Sequence, residues 1–421
     1  MEANTHQAST DTGNASESEQ NKPKVKGEFF AVCVGTIRDI VRQGGTAEQI
    51  SCFIVLARHT QGRGNWQYRA STAGAKALAD KAGVSNRRAK KELTWLNNNA
   101  APGKEAFIQT RDEALTIAEH PIPEYLGKGQ NKQTKIRWML SELSEDDNLK
   151  AYLSHTLIDG VGLGKDNPPL SRIIEKTPFP KGLGNIKTAR LDSIMVLLQM
   201  YQHHDLRDSG GVDPREGLYR EWKHAELPES LDIAEECDML PFALQEIKRG
   251  DNFVFNTFAK EALFYVEDEE ERHRRFWFAF DNLHKLGFFY EVVEIWDCNP
   301  LKRDDAELLY PLYIFDSYGR KNDPFVAKDI HSALIDCSAL EGMAVREFFD
   351  GIDANRYAPK EHQQCRYVVT NTGGYPLSVF RLRFRPATRD TGRGKEAEEL
   401  RAESWKEIIR NAGYKKAREY H

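Results

Sequence analysis

The turn at Gly83-Val84-Ser85 constrains the fold more than any other feature, because helical patterns lie directly before and after it. The expected N-cap of the first helix is Ser71 or Thr72. Small and apolar residues then follow at helical spacing: Ala75, Leu78, Ala79 and Ala82. Gly83 can adopt the positive φ that ends a helix, and Ser85 can cap a second helix from about Asn86. The segment from residue 71 to 99 therefore predicts a helix-turn-helix.

The second helix has two chemically different faces. Its apolar face consists of Ala89, Leu93 and Leu96. The opposite face carries donors that can bond base edges in a major groove or phosphate oxygens. The candidate DNA-binding residues are Arg87, Lys91, Thr94 and Asn98, with Arg88 and Lys90 beside them and Lys76 on the first helix. The alternative is a solvated basic face in a helical hairpin that never contacts DNA.

The charge of this segment differs from that of the rest of the chain. Residues 71–99 contain six basic and two acidic side chains and so carry +4, whereas the 421-residue chain carries −5. The remainder therefore carries −9. A basic segment in an acidic chain favours a localised contact with a polyanion.

Helices and strands are also predicted on both sides of this segment. Residues 28–43 have helical periodicity, the sequence from Thr46 to Gln49 matches a capping box, and residues 50–57 read as a buried helix. Downstream, residues 107–110 and 134–140 look like paired strands of a wing. The basic connection between them includes Lys128 and Lys132, which we expect beside a phosphate backbone or minor groove.

This order of helices, turn and strand pair resembles the winged helix-turn-helix domains of replication initiators and regulators of plasmids, phages and integrative elements. The resemblance covers residues 28 to 142 and is specific for the class of domain. It implies a protein that binds double-stranded DNA without catalysis, and it adds no cofactor and no metal.

Length, apolar runs and cysteine spacing limit the class of protein further. A chain of 421 residues and 48.1 kDa is long enough for two or three domains. No apolar run approaches the ~18 residues of a membrane helix, so we expect a cytoplasmic protein with no membrane contact. The six cysteines form no CxxC pair, which indicates neither a zinc ribbon nor a disulfide framework.

The sequence divides into five predicted regions. Residues 1–26 read as a disordered tail, 27–142 as the winged helix-turn-helix domain, and 143–187 as a Gly- and Pro-rich linker. Residues 188–315 form a second, winged-helix-like domain, and 316–421 an α+β region with a basic hairpin and a helix. The predicted fold class is mainly α with small β-hairpins.

The second domain contains two patterns that could carry function. A helix from Thr188 to about Leu206 ends in Tyr201, His203 and His204, which invites comparison with relaxase nicking sites. Those sites place their histidines on alternate strand residues, so a polar helix end is the favoured interpretation. A helix from Asp268, then Gly287 and a strand, suggests a second winged helix, favoured as a packing or dimerisation copy over a second DNA reader.

Near the C-terminus, residues 367–370 and 377–385 read as a β-hairpin joined by a turn at 371–374. Alternation places Arg381, Arg383 and Arg385 on one face of the second strand. Two interpretations are equally favoured: a second phosphate contact, or arginines that guard an edge strand against aggregation.

Three functional hypotheses follow. The leading one is a sequence-specific DNA-binding protein, initiator-like, of a plasmid or integrative element, and the alternative is a transcriptional regulator of a mobile element. A third is a DNA-processing nuclease with Glu291, Glu294 and Asp297 as metal ligands, although Glu291 and Glu294 fall on opposite strand faces. We expect the partners to be double-stranded DNA, a second copy of the chain, and host replication or transcription proteins.

Overall fold

The computed structural model describes residues 29–61, 69–110, 138–141, 146, 149–160, 168–182, 184–205, 211–225, 242–246, 256–303, 305–306, 308–313, 367–370 and 375–386. Nine α-helices lie in these ranges: α1 Val34–Arg42, α2 Ala47–Arg58, α3 Ala75–Ala82, α4 Asn86–Asn98, α5 His155–Asp159, α6 Pro169–Lys176, α7 Ile186–Gln202, α8 Asn256–Ala262 and α9 Glu269–Lys285.

Twelve strands accompany them: β1 Phe29–Cys33, β2 Thr60–Gln61, β3 Arg69–Ser71, β4 Ile108–Thr110, β5 Trp138–Leu140, β6 Lys150–Ser154, β7 Arg220–Ala225, β8 Phe242–Glu246, β9 Phe289–Trp296, β10 Leu308–Tyr313, β11 Tyr367–Thr370 and β12 Tyr375–Leu382. They form three antiparallel sheets of order β1-β6, β2-β3-β5-β4 and β10-β9-β12-β7-β8-β11. The fold is therefore mixed α+β, and its six-stranded sheet is larger than the hairpins that the sequence predicted.

The N-terminal helices are partly as predicted. Gln49 Oε1 accepts a hydrogen bond from the Thr46 backbone N–H at 2.5 Å, which is one arm of the predicted capping box. All residues of α2 from Ala47 to Ala57 are buried, as its apolar sequence required. The helix predicted over 28–43 is wrong in its first part: Phe29–Cys33 is the strand β1, because aromatic and β-branched residues there pair with β6.

The segment predicted as a linker, residues 143–187, is packed structure where it is described. It supplies β6, which pairs with β1, and the helices α5 and α6. Leu170, Ile173 and Ile174 of α6 are buried in the core. Proline at the first position of α6 starts this helix, since its missing N–H is not needed there. The Pro and Gly content marked helix boundaries and not a flexible connection.

The six-stranded sheet corrects the predicted C-terminal hairpin. β11 and β12 are not neighbours, because β7 and β8 lie between them. β12 lies between β9 and β7, so it is an interior strand. The helix, glycine and strand predicted from Asp268 are present: Asp268 caps α9, Gly287 has φ +77, and β9 follows. β9 belongs to the large sheet and is not the strand of a separate wing.

One hydrophobic cluster of the described residues connects the two halves of the chain. Buried side chains from α2, α6, α7, α9 and β12 belong to one cluster that extends from Phe30 to Phe384. Across this core, Arg275 of α9 donates to Asp192 of α7 at 2.7 Å, and the Tyr265 hydroxyl donates to Asp192 at 2.6 Å. The boundaries predicted near residues 142 and 187 therefore do not coincide with a gap in the core.

Several sequence predictions lie outside the described residues. They are the tail of residues 1–26, the connection that contains Lys128 and Lys132, and the C-terminal helix and basic tail beyond residue 386.

Candidate nucleic-acid interface

The turn between α3 and α4 has the predicted chemistry, apart from the start of α3. Gly83 ends α3 in the left-handed conformation with φ +71, and Ser85 Oγ accepts from the Arg88 N–H at 3.2 Å. The N-cap of α3 is Gly74, so the predicted caps Ser71 and Thr72 are wrong. Ser71 instead ends β3, where it pairs with Trp138 of β5. Glycine and serine thus fix the two helix ends that meet at the turn.

Gly83 is needed for a second reason, which is the close approach of α6. A Cβ atom built on Gly83 would lie 2.9 Å from both the Cβ and the carbonyl oxygen of Ser171. Real Cβ contacts essentially never come this close. The turn therefore rests directly on the first part of α6, and any larger residue at position 83 would have to displace backbone.

The helices α2, α3 and α4 contact one another in all three pairs, and α2 also contacts β3 and β5. The apolar face of α4 meets this core, since Ala89, Leu93 and Leu96 are buried. The Trp95 ring stacks on Phe107 beside β4, with centroids 6.0 Å apart and an interplanar angle of 12°. β4 and β5 pair as predicted, with Ile108 opposite Leu140.

The opposite face of α4 points away from the core. Five of the predicted DNA-binding side chains on it are exposed: Arg87, Lys90, Lys91, Thr94 and Asn98. The Thr94 hydroxyl donates to the Lys90 carbonyl at 3.0 Å, which orients it along the helix. Lys76 on α3 is exposed as well. Within the described parts of the chain, none of the four basic residues in this set forms an ion pair.

Arg88 behaves differently from the other basic residues of α4. It forms an ion pair with Glu92, one helical turn away, whose side chain is only 2 % exposed. Burial raises the pKa of Glu92, while the charge of Arg88 and hydrogen bonds from Arg88 and Gln49 oppose that shift. Arg88 is thus engaged by a buried carboxylate while its own side chain stays 42 % exposed, and its role as a DNA contact stays a prediction. The i,i+4 spacing of Arg88 and Glu92 was a sequence signal for this pair.

A second ion cluster fixes the end of α3. Asp159 at the end of α5 accepts from Arg58 of α2 at 2.6 Å and also bonds Lys81 of α3. Burial alone would raise the pKa of Asp159, but the bonds from Lys81 and Arg58 outweigh it and leave the pKa below its ordinary value. Sequence reasoning missed Asp159 because it lies 78 positions from Lys81.

The C-terminal arginines do not form an exposed stripe. Arg381 is completely buried and donates to the equally buried Glu294 at 2.9 Å. Arg385 donates to the Tyr290 hydroxyl at 3.2 Å, and Arg383 is half-buried. A phosphate contact by Arg381 is therefore wrong, and so is an edge-guarding role for this residue, because its side chain is buried and paired. Side chains of β12 alternate between the two faces of the sheet as predicted, but the side chains on both faces are buried.

Residues considered for nicking or nuclease chemistry have structural partners. The buried Tyr201 hydroxyl donates to the Phe384 carbonyl at 2.6 Å, and burial raises its pKa. His203 Nδ1 lies 2.9 Å from Glu216 Oε2. Glu294, one of the three nuclease candidates, accepts from Arg381. Among the residues that the structure describes, no group of three or more His, Cys, Asp or Glu side chains could hold a metal ion.

None of the helices in the described ranges has the length and apolar character needed to cross a membrane. Comparison of the chain with protein-family models, curated proteins and solved structures returned no match. The α4 surface itself is therefore the feature from which a function can be inferred.

Proposed function

We propose that this chain is a sequence-specific protein for double-stranded DNA that places α4 in the major groove and acts without catalysis. One observation carries the proposal. The second helix of a helix-turn-helix presents Arg87, Lys90, Lys91, Thr94 and Asn98 to solvent, while its other face is held in the core. In DNA-binding helix-turn-helix domains, the second helix in this position reads base edges with its exposed side chains.

The strand order around α4 supports assignment to the winged helix class. Along the chain, β3 precedes α3 and α4, and β4 and β5 follow them. In the sheet, β5 lies between β3 and β4. This is the order in which a strand pair projects beside a recognition helix. The chain between β4 and β5 contains Lys128 and Lys132, which the proposal assigns to phosphate contacts.

Internal ion pairs narrow the set of residues that contact DNA. Arg88 is paired with Glu92 and Lys81 with Asp159, so each contributes less to the charge presented to a ligand than a cation without such a pair. Lys76, Arg87, Lys90 and Lys91 remain as the phosphate and base contacts of the two helices. Thr94 and Asn98 extend the same face toward the end of α4 and are assigned to base edges.

For the biological role, we propose a replication initiator-like protein of a plasmid or integrative element that binds as a dimer. The length of the chain beyond the α4 region supports this role, since an initiator needs further surfaces to remodel an origin. A transcriptional regulator is the alternative. A plasmid that carries the gene with its flanking DNA should replicate in a host where the vector alone cannot; failure to replicate, with specific binding intact, favours the regulator.

The DNA-binding proposal is tested with Arg87→Ala combined with Lys91→Ala. With a fluorescent duplex of random sequence, the salt slope of binding should fall by about two, since each lost phosphate contact removes about 0.9. Affinity near physiological salt should fall on the order of tenfold or more. Fluorescence anisotropy over a salt series measures both quantities.

The matched control is Arg274→Ala combined with Lys260→Ala, which also removes one arginine and one lysine from exposed helical positions. It should leave the slope and the affinity nearly unchanged. Thermal unfolding should be the same in both double variants, because all four side chains are exposed. Equal loss of binding in the two variants would refute a localised interface on α4.

A further inference from the structure

The loop between α6 and α7 displays an aromatic ring to solvent. Phe179 is 68 % exposed and is the one large hydrophobic side chain found exposed among the residues that the structure describes. A single exposed apolar side chain is common on protein surfaces, but the hydrated area of this ring is available to a ligand. We call Thr177 to Lys181 the Phe179 loop.

The Phe179 loop is anchored in the protein on both sides of the ring. On one side, the buried Thr177 hydroxyl donates to the Ile173 carbonyl at 2.6 Å and accepts from Asn282 of α9 at 3.0 Å. On the other side, Pro180 is buried. Prolines directly before and after Phe179 restrict the backbone further. The ring is thus presented on a fixed support, which lowers the entropy lost when a ligand binds it.

The chain segment that carries the ring is basic. Lys176, Lys181 and Lys187 are exposed in the chain around the loop, and Glu175 is the acidic residue among them. A protein interface of standard size needs a contiguous apolar centre within about 800 Å² on each partner. One ring with flanking cations does not provide such a centre. The ring and the lysines together fit a polymer whose repeating unit contains one planar ring and one negative charge.

We propose that the Phe179 loop binds single-stranded nucleic acid, with the Phe179 ring stacked on a base and the neighbouring lysines contacting phosphates. Stacking on an aromatic side chain tolerates any base, because every base has a π-face. The inference deepens the proposed function, and in that respect rests on it: the duplex held by α4 is the source of the strand.

The position of the loop in the fold agrees with this role. Ser171, which lies against the turn before α4, is eight positions from Phe179. A chain that is helical to Lys176 and extended beyond it spans at most about 18 Å over that distance. One turn of duplex DNA is about 34 Å long. The backbone of Phe179 therefore lies within about half a duplex turn of the residue that contacts the turn before α4.

The test uses the full chain and a fluorescent oligothymidine of about 20 nucleotides, which forms no duplex. Phe179→Ala should weaken binding by about tenfold, Phe179→Trp should restore it, and Phe179→Leu should resemble alanine because it lacks a π-face. Combining Lys176→Ala with Lys181→Ala should lower the salt slope by about 1.4. Because Phe179 is exposed, thermal unfolding should not change.

Two results would overturn the inference. One is unchanged oligothymidine binding by Phe179→Ala, and the other is full binding by Phe179→Leu, which indicates an apolar contact without stacking. A polyglutamate peptide that competes as well as the oligonucleotide would also contradict it, since only charge would then be recognised. The Arg87→Ala and Lys91→Ala variant separates the two proposals, because it should lose duplex binding and keep oligothymidine binding.

Discussion

At the scale of residues, burial decides which charged side chains are available to a ligand. Arg381 and Arg88 look alike in the sequence, as basic residues in basic segments, yet each is paired with a buried carboxylate. Arg381 and Glu294 are both fully buried, so each charge has lost its hydration and depends on the other. Such pairs constrain the fold, whereas the exposed Arg87 and Lys91 do not.

Removing one member of the Arg381–Glu294 pair should therefore be costly. Arg381→Met leaves the Glu294 carboxylate buried without its partner, and we expect the free energy of unfolding to fall by about 3–5 kcal/mol. Urea denaturation followed by circular dichroism measures this change. The double variant with Glu294→Leu as well should recover most of the loss, because both charges are then gone. A single variant as stable as the unchanged chain would show that the pair does not stabilise the fold.

At the scale of elements, the turn between α3 and α4 is set by local chemistry and by one tertiary contact. Glycine at position 83 supplies the positive φ, and its missing side chain lets α6 approach. Gly103 provides a comparison, since it has φ +72 and no atom within 4 Å of a Cβ built on it. The two glycines thus share a backbone conformation and differ in their surroundings.

Alanine substitutions at Gly83 and Gly103 give a matched test of the contact between the turn and α6. Gly103→Ala should cost only the left-handed backbone penalty, about 1–2 kcal/mol. Gly83→Ala should cost clearly more, because the new methyl group meets Ser171. Thermal unfolding of the two variants measures the difference. Equal shifts in Tm would mean that α6 does not support the turn, and would remove the physical basis for linking α6 to the α4 surface.

Much of the helix-turn-helix could be predicted from sequence, because its signals are local. The glycine, the serine cap and the apolar spacing of α4 act within a few residues of one another. The first part of the helix predicted over residues 28–43 is wrong for the opposite reason, since its structure depends on a distant partner. Phe29–Cys33 is compatible with helix or strand, and only its pairing with Lys150–Ser154, more than a hundred residues away, makes it β1.

At the scale of the whole molecule, long-range packing explains the remaining errors. Alternation correctly separated the faces of β12, but no local pattern shows that strands flank it on both sides or that both faces are covered. The segment predicted as a linker likewise supplies β6 and α6 to the core. A domain cut at residue 142 would lose both elements, so the α4 surface belongs to a larger structural unit than the sequence indicated.

The most direct test of the central claim, that α4 reads DNA bases, is selection of binding sites from a random duplex pool. The full chain and its Arg87→Ala variant are selected in parallel, and the bound sequences are compared. We predict a defined site for the unchanged chain and a loss of base preference at one or two adjacent positions for the variant, because one side chain contacts one or two base pairs. Selection of no site by the unchanged chain, or of the same site with the same preferences by both proteins, would show that Arg87 on α4 does not read bases.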